Sequence, residues 1–457
     1  MEEPKENKNT WHFPKAFWTA NSIELFERAA YYGTFIALAL FLTREVGYRD
    51  VLANSITGVF AAGLYLLPLF NGAVADRMGF RKSLILAFAL LSLGYAGLGL
   101  FPYKGSVLLS LLLIMIGGAF VKPIISGTVA KTSDETNRAR AFSIFYMVVN
   151  IGAFSGKTIA KPVRVALGIR YVPLYSAGAA AIALFLVSLF YWPKDPDKTN
   201  RPSARESFSN LVTVLKNFRF FALILITAGF WAIQGQLYGA MPKYVLRMIG
   251  EGASPEWYAN INPFVVVLFV VPITQLVRRI KPVTSIGIGL GIIPFSALCM
   301  ALAPKLGNSV TLFGQAVHPI TVTMIVGIAL QGFAECFLSP RYLEFASKQA
   351  PSAGQEGLYM GYSHINTFFA WLGGFILSGF LLEAYCPEPK TLCAADQTAR
   401  LASLAGKGPM PEIYAHAHWI WYVFATIGAI GFLMLLVFQV ITRRIDAKKK
   451  INMTKSS

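Results

Sequence analysis

The richest chemistry in the sequence lies in one apolar stretch near its start. Glu24, Glu27, Arg28 and Tyr31 recur at spacings of three and four, which places them on one face of a helix. Two carboxylates beside a guanidinium in apolar surroundings can hold and release a proton. Partial desolvation favours the protonated carboxyl, while the neighbouring cation favours the ionised one. Moving the cation, or introducing a substrate carboxylate, then changes proton affinity. The plain alternative is a structural ion pair that holds helices together. A second cation, Lys122, sits in the middle of the apolar run GGAFVKPIISG and is followed by Pro123. A snorkelling lysine would sit nearer a helix end. A further carboxylate, Glu335, is alone in its apolar segment. Ionisable side chains at such depth pair with one another or line a wet cavity.

The elements that carry these residues are apolar and long. Of 457 residues, 55% are hydrophobic and 14% charged, against about 25% charged in a soluble chain. Apolar runs of about 20 residues, the length that spans a bilayer, recur about twelve times. The predicted spans are 17–42, 52–75, 83–101, 107–129, 141–163, 172–192, 219–249, 258–277, 283–303, 320–339, 359–384 and 416–442. No alternating segments of about ten residues suggest a β-barrel. The expected fold is therefore an all-α integral membrane protein of two six-helix bundles. Its parts are a tail at 1–15, a first bundle at 16–192, a linker at 193–218, a second bundle at 219–442 and a basic tail at 443–457.

The net charge of +18 invites a nucleic-acid reading, but the basic residues fall in every second loop. Arg77, Arg81 and Lys82 form one group, Lys131, Arg138 and Arg140 a second, Lys194, Lys198, Arg201 and Arg205 a third, and Arg278, Arg279 and Lys281 a fourth. This bias predicts both termini in the cytoplasm. It makes lipid, rather than nucleic acid, the partner. Phosphate loops, nucleophile elbows, metal-ligand spacings and cofactor motifs are missing, which argues against ATP-driven transport and against an enzyme. His318 and His364 stand alone. Cys386 and Cys393 share one predicted outer loop, where a disulfide is an open option.

Motifs along the chain carry a family resemblance. The stretch from Gly72 through Asp76, Arg77 and Gly79 to Lys82 resembles the loop motif of the major facilitator fold. Gly79 suits the tight turn there. Glu24-x-x-Glu27-Arg28 followed by Tyr31-Tyr32-Gly33 resembles the first-helix signature of the proton-dependent oligopeptide transporter family. Tyr65 and Lys122, Phe145-Tyr146 with Asn150 and Gly152, Phe230-Trp231, Asn262-Pro263, and Glu335 with Ser339-Pro340 are similar to motifs of its later helices.

The resemblance implies that Glu24, Glu27, Arg28 and Lys122 couple protons. It implies that Tyr31, Tyr32, Tyr65, Lys122, Asn150, Trp231, Gln234, Asn262 and Glu335 contact substrate, with Lys122 at the carboxyl end and Glu335 and Asn262 at the amino end of a small peptide. Two positions depart from the pattern. Phe35 stands where such carriers often have an arginine, and Gln234-Gly235 replaces an acidic position. The linker, about 26 residues, is too short for two further spans of about 20 each.

The expected function is proton-coupled symport of small peptides by a monomer in the plasma membrane. A small anionic metabolite is the alternative substrate, and a substrate sensor that does not transport is the alternative class. Lys157, Lys161 and Arg164 share one face of the fifth span. They either snorkel to headgroups or line a basic outer vestibule.

Overall fold

The computed structural model describes residues 12–68, 71, 75, 78–134, 137–193, 212, 216–349 and 356–456. Gly72, Asp76, Arg77 and the linker residues Lys194, Lys198, Arg201 and Arg205 lie outside them.

The first half contains α1 (Lys15–Arg44), α2 (Asp50–Leu66), α3 (Phe80–Leu100), α4 (Lys104–Lys131), α5 (Arg138–Ala166) and α6 (Tyr171–Phe190). In the second half, α7 (Phe218–Gln234) and α8 (Met241–Ile249) form one broken crossing, with a 3₁₀ turn at Gly235–Leu237. Next come α9 (Pro255–Tyr258), α10 (Ile261–Val277), α11 (Pro282–Ala301) and α12 (Pro319–Ser347). They are followed by α13 (Glu356–Ser363), α14 (Ile365–Tyr385), α15 (Ala394–Leu404) and α16 (Trp419–Ser456).

Among the described residues, 11 helical segments are long and apolar enough to cross a bilayer, and α2 is a shorter apolar helix of 17 residues. Together they make the twelve-helix, two-bundle membrane fold that the sequence predicts. Two features between the crossings are not visible in the hydropathy pattern. One is a small hairpin, β1 (Val310–Leu312) paired antiparallel with β2 (Gln315–Val317). The other is α15, whose N-terminus is capped by the Cys393 sulfur accepting from the Asp396 amide.

Local sequence explains how α1 is held. Gly152 and Gly156 lie one turn apart on α5 and let its backbone touch α1. A Cβ at Gly156 would come 2.3 Å from the Ala29 carbonyl oxygen, and one at Gly152 would come 2.7 Å from that of Leu25. Small residues four apart permit such close packing where lipid supplies no hydrophobic drive. The packing fixes the part of α1 that carries Glu24, Glu27 and Arg28. Before α3, Gly79 has φ +86°, a conformation that favours glycine. The Cys386–Cys393 disulfide is not formed. Both thiols are free, Cys386 is buried, and Cys393 is exposed and engaged as the α15 cap.

Candidate functional site

Two cavities adjoin, one between the halves and one within the first half. The larger, of about 310 Å³, is lined by Tyr32, Tyr65, Lys122, Asn150, Trp231, Gln234, Asn262 and Glu335. These are all of the expected substrate residues except Tyr31. The smaller, of about 220 Å³, is lined by Glu24, Glu27, Arg28 and Tyr31, with Tyr32, Tyr65 and Lys122 as shared walls. Lys122 therefore faces both the expected proton group and the central space.

In the smaller cavity the two carboxylates are buried. Arg28 donates its NH2 to Glu27 Oε1 at 2.6 Å and its Nε to Glu27 Oε2. The same Nε lies 3.4 Å from Glu24 Oε1, leaving Glu24 Oε2 buried and without a partner among the described residues. The Arg28 guanidinium also sits 5.2 Å from the Tyr31 ring centroid and 5.9 Å from that of Tyr32. Lys122 forms no ion pair among the described residues, and its ammonium lies 5.8 Å from the Tyr65 ring. One arginine thus serves two carboxylates, while a second cation stands free beside them. Arg28 can satisfy both acids only if one is protonated or if Lys122 moves toward them.

On the opposite wall, Glu335 accepts from Gln234 Nε2 and from Asn262 Nδ2, the latter at 3.3 Å. The departure at Gln234 thus has a definite consequence. An amide there donates to Glu335, whereas a second carboxylate would repel it. The Gln234 carbonyl oxygen is buried without a partner among the described residues, an acceptor available to a bound donor. The other departure, Phe35, is buried in an aromatic cluster that crosses between the halves. It stacks on Tyr31 at 5.1 Å and on Trp371 at 5.4 Å, and lies 4.7 Å from Tyr238.

Sequence reasoning passed over several wall residues. His364, Trp371 and Tyr238 line the larger cavity, and the His364 ring lies 6.5 Å from that of Tyr65. A lone histidine gives no signal through motif spacing. Its place in an apolar span was the available clue.

The largest omission is at the end where α1 turns into α2. There Asp50 Oδ1 accepts from Lys243 Nζ at 2.7 Å, and Asp50 Oδ2 from Arg247 NH1 at 2.8 Å. Arg247 NH2 reaches Glu388 at 2.7 Å, and Lys243 also donates to Asn54 at 2.8 Å. Lys243 and Arg247 are both 0% exposed. The network joins α2 to α8 and to the loop after α14, and so locks the two halves together.

Lys157, Lys161 and Arg164 belong to the same closure, and each has a partner in the second half. Lys157 donates to the Ala259 carbonyl at 3.0 Å, Lys161 donates to Ser254, and Arg164 pairs with Glu256. All of these partners come from the α8–α10 region of the second half. The sequence shows the basic face of one helix, but not the acceptors that arrive from about a hundred residues away.

Two halves of six helices around a central cavity, closed at one end, define a polytopic membrane carrier architecture. The Major Facilitator Superfamily profile matches residues 22–314, and the chain belongs to that superfamily. It is similar to multidrug resistance protein MdtH of Cronobacter sakazakii, 25% identical over 359 residues, covering 77% of this chain and 83% of that protein. It is also similar to the di-/tripeptide transporter of Lactococcus lactis subsp. cremoris, 23% identical over 445 residues, covering 77% of this chain and 86% of that protein. Among solved structures, a peptide transporter POT in complex with sulfate superposes with a TM-score of 0.73 at 20% identity, covering 94% of this chain and 95% of that chain.

Proposed function

We propose that the protein is a proton-coupled symporter of small peptides of the proton-dependent oligopeptide transporter type, working by alternating access. One observation carries the reading. A single cavity has an ammonium, Lys122, on the first half and a carboxylate, Glu335, on the second, and Lys122 also borders the Glu24–Glu27–Arg28 cluster. A zwitterion fits such a cavity, because each end meets an opposite charge and its binding draws the two halves together. The same binding competes with the carboxylates for Lys122, which links occupancy to protonation. The di-/tripeptide transporter of Lactococcus lactis supports the peptide reading. The loop charges favour a plasma-membrane protein with cytoplasmic termini. The end closed by Asp50, Lys243 and Arg247 is then external.

Glu335→Gln tests the substrate assignment. It removes the charge that meets a peptide amino group, and a charge-assisted contact of this kind corresponds to roughly tenfold or more in affinity. Free dipeptides should bind at least about tenfold more weakly, whereas N-acetylated dipeptides should change by less than about twofold. Competition binding on the purified variant reads this directly. Equal losses for both ligand types would remove Glu335 from amino-group recognition.

A further inference from the structure

Lys157 differs from the two cations that follow it on α5. Arg164 is neutralised by Glu256, and Lys161 is partly exposed and lies 4.0 Å from the Trp257 ring. Lys157 is 1% exposed, and no carboxylate pairs with it among the described residues. Its one hydrogen bond goes to the Ala259 carbonyl at 3.0 Å, between α9 and α10 of the other half, and the Tyr32 ring lies 5.7 Å away. It also lines the central cavity beside Tyr32 and Asn150.

An ammonium has three donors, and one neutral acceptor plus a ring face leaves its charge largely uncompensated. A buried charge without its counter-ion is strongly destabilising, and within a membrane such groups mark binding pathways. The cavity that Lys157 lines gives a counter-ion access to it.

We propose that Lys157 is a substrate-binding residue whose counter-ion is the carboxylate of the transported molecule. The ammonium exchanges the Ala259 carbonyl for that carboxylate. A charge-assisted hydrogen bond is about twice as strong as a neutral one, so the exchange is favourable once the oxyanion is within reach. Because Ala259 belongs to the opposite half, the exchange also removes one tie at the external end. This rests on the small-peptide reading and extends it. Two lysines from α4 and α5 line the first half's share of the cavity, which selects for substrates bearing an acid group.

The test uses the purified full chain and three probes, namely dialanine, dialanine amide and succinate. Ligand-induced thermal shifts, which report binding to the folded state, are titrated for the parent, Lys157→Gln, Lys157→Met and Lys157→Arg. Met keeps the length and packing of the stem should Gln fold poorly. The expected result is that Gln and Met weaken dialanine at least about tenfold and the amide less than about twofold, and that Arg recovers most of the loss. A purely structural tie would weaken acid and amide alike, and that result overturns the proposal. Dialanine binding that is unchanged in Lys157→Gln overturns it too, while leaving the peptide reading intact. A parent that ignores both peptides but binds succinate, with that binding lost in Lys157→Gln, sustains the role of Lys157 and removes the peptide reading. A parent that binds none of the three removes both.

Discussion

Lys122→Ala is expected to abolish accumulation driven by a proton gradient while leaving substrate exchange at zero gradient measurable. Lys122 is the one cation that walls both the Glu24–Glu27–Arg28 cavity and the central cavity. Arg28 is already committed to two carboxylates, so Lys122 is the movable charge. Without it, protonation of the cluster no longer changes the field at the substrate site, and binding no longer alters proton affinity. The cavity itself survives, because Lys122 makes no ion pair that supports the fold. Reconstituted vesicles separate the two activities: counterflow of labelled dipeptide should persist, and uptake against a concentration gradient should fall to background. Gradient-driven accumulation at the parent level would exclude Lys122 from coupling.

Asp50→Ala should have an equally large effect at the other end of the cavity. It leaves Lys243 without its carboxylate and Arg247 dependent on Glu388. Removing one partner of a buried ion pair costs about 3–5 kcal/mol, enough to shift a balance between open and closed forms by about a hundredfold or more. The chain carries its own reporter. Cys386 is buried, and its carbonyl accepts from Arg247. Burial pushes its thiol up to about 12, so the reactive thiolate is scarce near neutral pH. When the external end opens, the thiol returns toward its ordinary value and its thiolate fraction rises. In a Cys393→Ser background, maleimide labelling of Cys386, from the external side in the topology proposed above, should accelerate about a hundredfold in Asp50→Ala. An unchanged labelling rate, with the protein still folded, would show that this network does not hold the external end closed.

Much of the fold was legible because a bilayer imposes one simple demand, an apolar run of about 20 residues for each crossing. Breaks within crossings were not legible. The Gly235–Leu237 turn and the α9–α10 junction interrupt apolar runs at short polar stretches, Gln234-Gly235-Gln236 and Asn260-Ile261-Asn262, that leave the run long enough to read as one crossing. The buried acidic and basic cluster on α1 was legible for the opposite reason. Glu24, Glu27 and Arg28 are charges where charge is costly, and their spacing alone puts them on one face. The same logic applied to Lys243 and Arg247, which are four apart inside the predicted seventh span, yet their significance lay in Asp50, nearly two hundred residues earlier. Periodicity reads one helix at a time and cannot show which helix completes a pair. Lys157, Lys161 and Arg164 illustrate this, as a basic stripe that faces acceptors in the opposite half rather than water. Phe35 illustrates it again. Its departure from the family pattern was visible, but its burial against Trp371 and Tyr238 depends on α14 and on the turn between α7 and α8.

The most direct measurement is uptake of labelled dialanine into vesicles reconstituted with the parent protein, with and without an inwardly directed proton gradient. Proton-coupled symport predicts accumulation above the external concentration when the gradient is present. It also predicts collapse of that accumulation to equilibration on adding a protonophore, and competition by unlabelled dipeptide. Dialanine that merely equilibrates whatever the gradient, or that is expelled as the gradient is imposed, would contradict proton-coupled peptide uptake.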